Sequence, residues 1–265
     1  MIDFHGTTAL ITGGASGIGK ALAAALVARG ARVILADINA ELLATSSGKV
    51  GAVASIVTDL AVAKAPAELI ESAFAIDGRL DLVCSNAGIG RGKRVLEEDF
   101  DDAALTRLFN INLFAGMRIA QAYAKALRES HARGRLLLTC SENSLSLPSA
   151  VRGARLGMYA ATKHALLIAA EWLRDETLGD PFAVHALMPG AVYTPLIARA
   201  LPDPALAPKA LDLIMPERCA EVALKGMDLG LFYIPTQAHL AVDMGPRHEG
   251  VAAAVRALGL AGNAG

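Results

Sequence analysis

A glycine cluster set between two different periodicities constrains this chain most. Ala9-Leu10-Ile11 is a short apolar run ending in Thr12-Gly13-Gly14, and Ala15-Ser16-Gly17-Ile18-Gly19 leads into residues 17–29. There Ile18, Leu22, Leu26 and Val27 recur at helical spacing until Gly30 closes the segment. The pattern reads as strand, turn, helix. Arg32-Val33-Ile34-Leu35-Ala36 is a second strand ending at Asp37, which completes a β-α-β unit of about 30 residues. Glycines in such a loop let the chain turn tightly and let backbone approach a pyrophosphate at the helix N-terminus. The spacing is G-x-x-x-G-x-G rather than G-x-G-x-x-G, and a plain tight turn is the alternative. The placement, with a strand before and a helix after, favours phosphate binding.

The order then repeats. Strands at 53–57, 80–84, 135–139 and 183–187 alternate with helices at 64–76, 99–108, 110–129 and 158–177. Strands that are apolar throughout belong in a parallel sheet covered on both faces. The alternation predicts an α/β fold, a doubly wound Rossmann domain with right-handed crossovers. No linker divides the 265 residues, so one domain spanning 1–265 is expected. Residues 190–216 hold Pro195, Pro202, Pro204, Pro208 and Pro216, too many for one regular element, and read as a lid over a site. The tail, 231–265, offers a strand at 231–234 and an alanine-rich helix near 249–260.

Composition removes several function classes. A formal net charge of −1, with 19% charged residues, gives no electrostatic case for nucleic acid or an anionic membrane. Hydrophobic residues make up 54%, but much of that is alanine, and no apolar run reaches the roughly 18 residues of a spanning helix. Met1-Ile2-Asp3-Phe4-His5 lacks a basic region followed by an apolar one, so no signal peptide is expected. Cys84, Cys140 and Cys219 show neither C-x-x-C spacing nor a disulfide framework, which points to a reducing cytoplasm. Cys84 and Cys140 sit in apolar runs as small core residues. The histidines, His5, His131, His164, His185, His239 and His248, have no metal-ligand spacing, and no metal is expected. His164 projects from a helix, and His185 reads as a satisfied core residue.

Two features carry chemistry. Asp37, at a strand end, can accept hydrogen bonds from ribose hydroxyls and would meet a 2′-phosphate as a like charge. Neither Ile38 nor Ser16 supplies a cation, so NAD is favoured over NADP; an exposed acid at a strand end is the alternative. Gly14 to Lys20 also spells G-x-x-x-x-G-K, but Ala21 follows where a nucleotide-triphosphate loop needs a hydroxyl for magnesium. Tyr159 and Lys163 lie four apart, on one face of a helix. Lowering a phenol from about 10 to about 7 needs roughly 4 kcal/mol. A cation about 4 Å away supplies roughly that at an effective dielectric near 20. The pair is therefore sufficient for proton transfer.

Together these residues resemble the NAD(P)-dependent short-chain dehydrogenase/reductase family, from about residue 6 to 195. Thr12 through Gly19 matches the family's cofactor loop, in which Gly13, Ser16, Gly17, Ile18 and Gly19 would contact the dinucleotide. Asp59-Leu60 resembles the acid-apolar pair that contacts adenine, and Asn86-Ala87-Gly88 the turn after the fourth strand. Asn112 lies in a segment similar to that of the catalytic asparagine, and Pro189-Gly190, with Val192 and Thr194, resembles the nicotinamide-side loop. The resemblance implies that Tyr159 takes a proton from a substrate alcohol while hydride passes to the nicotinamide. It implies that Lys163 holds the nicotinamide ribose and acidifies the phenol. Ser141 would hydrogen-bond the developing oxyanion, and Asn112 would place a water linking Lys163 to solvent. Ser141 lies further before Tyr159 than is usual in the family, with Ser144 and Ser146 as competitors. The extra residues, Arg152, Gly153 and Arg155 among them, extend a loop beside the pocket. The tail lacks the family's Asp-Gly-Gly-like turn after Thr236. The helices at 110–129 and 158–177 resemble a dimer-forming pair, so a homodimer or homotetramer is implied.

The expected function is therefore an NAD-dependent oxidoreductase that interconverts a secondary alcohol and a ketone. An apolar substrate, cyclic and aromatic forms included, rests on residues 145–147 and 196–215. The alternative is an NAD-binding sensor without turnover, against which Tyr159 and Lys163 both stand. Leu145, Leu147, Leu196, Ile197, Leu213 and Met215 read equally as pocket walls or core; Trp172 and Phe182 read as packing residues. Ser46-Ser47-Gly48-Lys49 spells an S-x-x-K motif by coincidence in a polar loop. Glu97-Glu98-Asp99 and Asp101-Asp102 read as the start of a helix, where carboxylates complement the dipole.

Overall fold

Alternate residues of each central strand feed two separate cores, one on each face of a sheet. The computed structural model describes residues 1–179 and 182–260. Its strands are β1 (Thr8–Thr12), β2 (Arg32–Asp37), β3 (Ala54–Val57), β4 (Leu82–Ser85), β5 (Gly134–Thr139), β6 (Phe182–Met188) and β7 (Tyr233–Pro235). They form one sheet in the order β3-β2-β1-β4-β5-β6-β7, every pairing parallel. The helices are α1 (Gly17–Ala28), α2 (Ala40–Val50), α3 (Ala65–Asp77), α4 (Ala103–Phe109), α5 (Ala115–Glu129), α6 (Gly157–Glu176), α7 (Pro195–Ala198), α8 (Pro216–Asp228), α9 (His239–Asp243) and α10 (Gly245–Ala257).

On one face Leu10 and Val83 pack with Leu69 of α3, Ile119 and Tyr123 of α5 and Leu166 of α6. On the other, Ile11 and Cys84 pack with Leu22 and Leu26 of α1 and Leu224 of α8. Each fully buried leucine contributes about 1.5–3 kcal/mol. The edge strand β3, covered on one face only, alternates half-buried and exposed residues instead. The doubly wound α/β fold expected from the apolar strands is the one observed. Chain order reverses between β1 and β4, so the loops leaving those strands diverge and open a crevice at their C-terminal ends.

Several local readings change. Residues 40–50 form α2, capped by the Asn39 side chain accepting from Leu42 N at 2.9 Å and ended by Gly51 at φ 78°. Ser46 to Lys49 therefore belong to a helix, not a loop; the small polar residues hid its period. The acidic run does not open α4. Only Asp102 caps it, accepting from Ala104 N, while Glu98 turns inward onto Arg91. A π-helical turn, Asn110–Phe114, fuses α4 and α5 into one bent run. Trp172 is 63% exposed beside Ile168, so it is not a core residue, whereas Phe182 is buried. His185 bonds Leu231 O through Nδ1 at 2.7 Å, but its Nε2 is buried with no partner among the described residues. Leu147, Leu196 and Met215 are exposed, which removes the core reading for them. No described helix is long and apolar enough to cross a membrane.

Candidate active site

Three turns meet at the crevice. After β1, Gly13 and Gly17 take φ values of 64° and 53°, which favour glycine. A Cβ on Gly13 would lie 3.0 Å from Ala87 Cα, and one on Gly19 would collide with the Gly13 carbonyl. The loop is thus closed to side chains. The first turn of α1 has no acid, and the Ser16 hydroxyl makes no capping bond, so its backbone N–H groups remain available to an anion. This donor set fits a dinucleotide's pyrophosphate. After β4, Asn86 N and Ala87 N both donate to Thr12 Oγ1, at 2.9 and 3.0 Å, and Asn86 Nδ2 donates to Thr12 O at 3.1 Å. After β6, a Cβ on Gly17 would lie 2.9 Å from Thr194 Cγ2, so the Pro189–Thr194 loop crosses the glycine turn.

Tyr159 and Lys163 lie on α6, where β5 ends. Ser141 caps a 3₁₀ turn, Glu142–Ser144, directly after β5. Its hydroxyl accepts from Asn143 N and Nδ2 at 3.2 and 3.4 Å, which leaves its own proton free to donate, and its interaction with the Tyr159 hydroxyl favours the phenolate. Ser144 instead accepts from Ser141 N at 3.1 Å. Ser146 Oγ is buried with no partner among the described residues. Lys163 is 4% exposed and donates from Nζ to Thr139 O at 2.7 Å. A Cβ on Gly88 would sit 3.6 Å from that Nζ and 3.4 Å from Asn112 Oδ1.

The electrostatics differ from the simple pair expected. Lys163 Nζ is 6.0 Å from the Tyr159 ring centroid, and burial pushes Lys163 down to about 8. Burial also raises Tyr159, against the bond from Ser141, and the Glu142 carboxylate adds to the rise. At 6 Å a unit charge supplies about 3 kcal/mol at an effective dielectric near 20, less than the full shift. Asn112 is fully engaged too. Its Oδ1 accepts from Ile89 N at 2.9 Å, and its Nδ2 donates to Ile89 O at 2.9 Å and Thr162 Oγ1 at 3.2 Å.

The chain matches the family model described as short chain dehydrogenase over residues 7–204. It belongs to the short-chain dehydrogenase/reductase family. It is 34% identical over 251 residues to 1-deoxy-11-beta-hydroxypentalenate dehydrogenase of Streptomyces avermitilis, covering 92% of this chain and 90% of that one. It is 30% identical over 194 residues to an (S)-acetoin-forming diacetyl reductase of Staphylococcus epidermidis, covering 71% and 72%. A short-chain dehydrogenase/reductase from Burkholderia phymatum, solved in complex with NAD, shares the fold with TM-score 0.82 at 24% identity, over 95% of this chain and 96% of that one.

Within this short-chain dehydrogenase/reductase, three expected contact residues have side chains otherwise occupied. Asp59 forms a two-bond ion pair with Arg107 of α4, at 2.9 and 3.0 Å, which lowers its pKa. The Leu60 and Val192 side chains are buried in the core. Asp37 accepts from Ala15 N at 3.1 Å and Asn39 N at 3.0 Å, which fixes its carboxylate beside the glycine turn. Sequence reasoning missed the residues that brace these groups. Ser46 donates to Ala15 O at 2.7 Å. From the tail, Gln237 accepts from Gly190 N at 2.8 Å and donates to Ala191 O and Asp212 O, at 3.0 and 3.1 Å. His239 Nε2 lies 3.0 Å from the buried Glu142 carboxylate, next to Ser141. Gln237 and His239 are single polar residues in a tail and carry no spacing signal, and Ser46 was hidden with the rest of α2. A concavity of ≈ 830 Å³ between α3 and α5 shares no lining residue with this site.

Proposed function

We propose that this chain is an NAD-dependent oxidoreductase interconverting a secondary alcohol and a ketone, with Tyr159 as general acid/base. The convergence of Ser141, Tyr159 and Lys163 beside the glycine turn carries the reading. Bound nicotinamide supplies the hydride chemistry. Tyr159 exchanges the hydroxyl proton with the substrate oxygen, and Ser141, its lone pairs held by Asn143, donates to that oxygen. Lys163, enclosed behind Tyr159, supplies the cation that favours phenolate. Asn112 supports the Gly88–Ile89 turn rather than contacting Lys163 directly. Asp37 favours NAD, because its carboxylate stands at the strand end and exposed Ile38 adds no cation. Residues 190–216 act as a lid of the same single domain, supported by the Val192–Ile214 bridge that closes the loop. Three buried free thiols accord with a reducing cytoplasm.

NADH formation over a panel of cyclic secondary alcohols tests the reading. Tyr159→Phe should lower kcat by about 10²–10⁴-fold while fluorescence still reports NADH binding. Asp37→Ala should narrow the preference for NAD over NADP. NADH binding with no turnover of any alcohol or ketone would favour a cofactor sensor, and a wild type preferring NADP would remove the role given to Asp37.

A further inference from the structure

The long segment between Ser141 and Tyr159 walls a second concavity. A cavity of ≈ 530 Å³ lies beside the site, and both Asn143 and Ala160 line it. Asn143 is the residue that holds the Ser141 hydroxyl, and Ala160 directly follows Tyr159. The cavity therefore shares a wall with the reacting centre proposed above.

Its lining is of two kinds. Val95, Leu147, Val151 and Leu156 are apolar, while Lys93, Arg94, Arg152 and Arg155 bring four cations; no carboxylate lines it. Two of those cations have partners. Lys93 Nζ lies 3.7 Å from Glu98, which Arg91 also bonds, and Arg94 lies 3.7 Å from Glu97. Arg152 and Arg155 have no ion-pair or side-chain hydrogen-bond partner among the described residues. Arg155 also holds a left-handed backbone, φ 56°, which a non-glycine residue adopts only against steric cost. A bridge between Lys93 and Leu156 ties the two sides of the cavity together. Arg152 and Arg155 are exposed, as are Val95 and Leu147, so the concavity opens to solvent on their side. Cations around low-dielectric walls focus a positive potential inward, and a guanidinium fork matches a carboxylate bidentately.

We propose that this cavity is the far end of the substrate site and takes an organic carboxylate, its apolar body on Val95, Leu147 and Leu156 and its anion on Arg152 and Arg155. The substrate class is thus a secondary alcohol or ketone that carries a carboxylate. The inference rests on Ser141 and Tyr159 marking the reacting end.

Calorimetric titration of the protein, with and without NADH, against 4-oxocyclohexanecarboxylate and its methyl ester tests it. The acid should bind about tenfold or more tightly than the ester, the range of a charge-assisted contact. Arg152→Gln with Arg155→Gln should erase that ratio, and Arg218→Gln, an exposed position on α8 paired with Glu221, should keep it. Equal binding of acid and ester, no binding of either, or a ratio that survives the double substitution would overturn the proposal. A protein that shows the ratio yet reduces neither ketone keeps the carboxylate site and contradicts the proposed reaction instead.

Discussion

Lys163 is where stability and chemistry conflict. Burial depresses it from 10.5 to about 8, so between those values the unfolded chain binds a proton that the folded chain does not. Stability from this group therefore rises with pH across that window, and below about 8 the fold carries the cost of a buried cation. Lys163→Met should stabilise the cofactor-free protein at pH 7 by about 1–3 kcal/mol after allowing for the lost bond to Thr139 O, and so raise its melting temperature. The gain should shrink toward pH 10. Thermal unfolding at both pH values checks this; a variant less stable than wild type at pH 7 would show that the Thr139 bond outweighs desolvation. Tyr159 and Lys163 were legible because a four-residue spacing fixes a shared helix face. Asn143, which holds Ser141, was not, because its role follows from a 3₁₀ turn that no periodicity announces.

The tail acts on the site through two contacts that bind separate elements together. Gln237 fastens the loop after β6, and His239 joins Glu142, after β5, with Asp212 of the 190–216 segment 3.6 Å away. Burial lowers His239, but Glu142, Asp243 and Asp212 raise it above 6.5 overall. A raised histidine stabilises fully below about pH 6.5 and loses that contribution as pH climbs through the folded value. His239→Gln should therefore cost about 1 kcal/mol near pH 6 and progressively less toward pH 9, read from melting temperatures. A gap that widens with pH would contradict the pairing. The wholly apolar strands made the sheet readable, since burial on both faces leaves no other pattern. By contrast, α2 escaped notice because Thr45, Ser46, Ser47 and Gly48 blur its period, although Ser46 braces the glycine turn.

At the level of the molecule, α6 leaves Ile168 and Trp172 exposed, four residues apart on one face, with Phe114 also exposed. Such an exposed apolar face is what a contact between copies of this chain would cover, and a homodimer through it is proposed. Trp172→Glu should halve the mass seen by light scattering, and an unchanged monomeric mass in the wild type would refute the assignment. The proposed reaction depends on one phenol being acidified by its surroundings once the crevice is filled. In the free protein burial keeps Tyr159 above its ordinary 10. Ultraviolet titration of wild type minus Tyr159→Phe, with and without NAD, isolates that group. With NAD bound, one tyrosine should ionise well below its value in the free protein, and that step should vanish in the variant. A Tyr159 that stays above 10 with NAD in place would contradict the account.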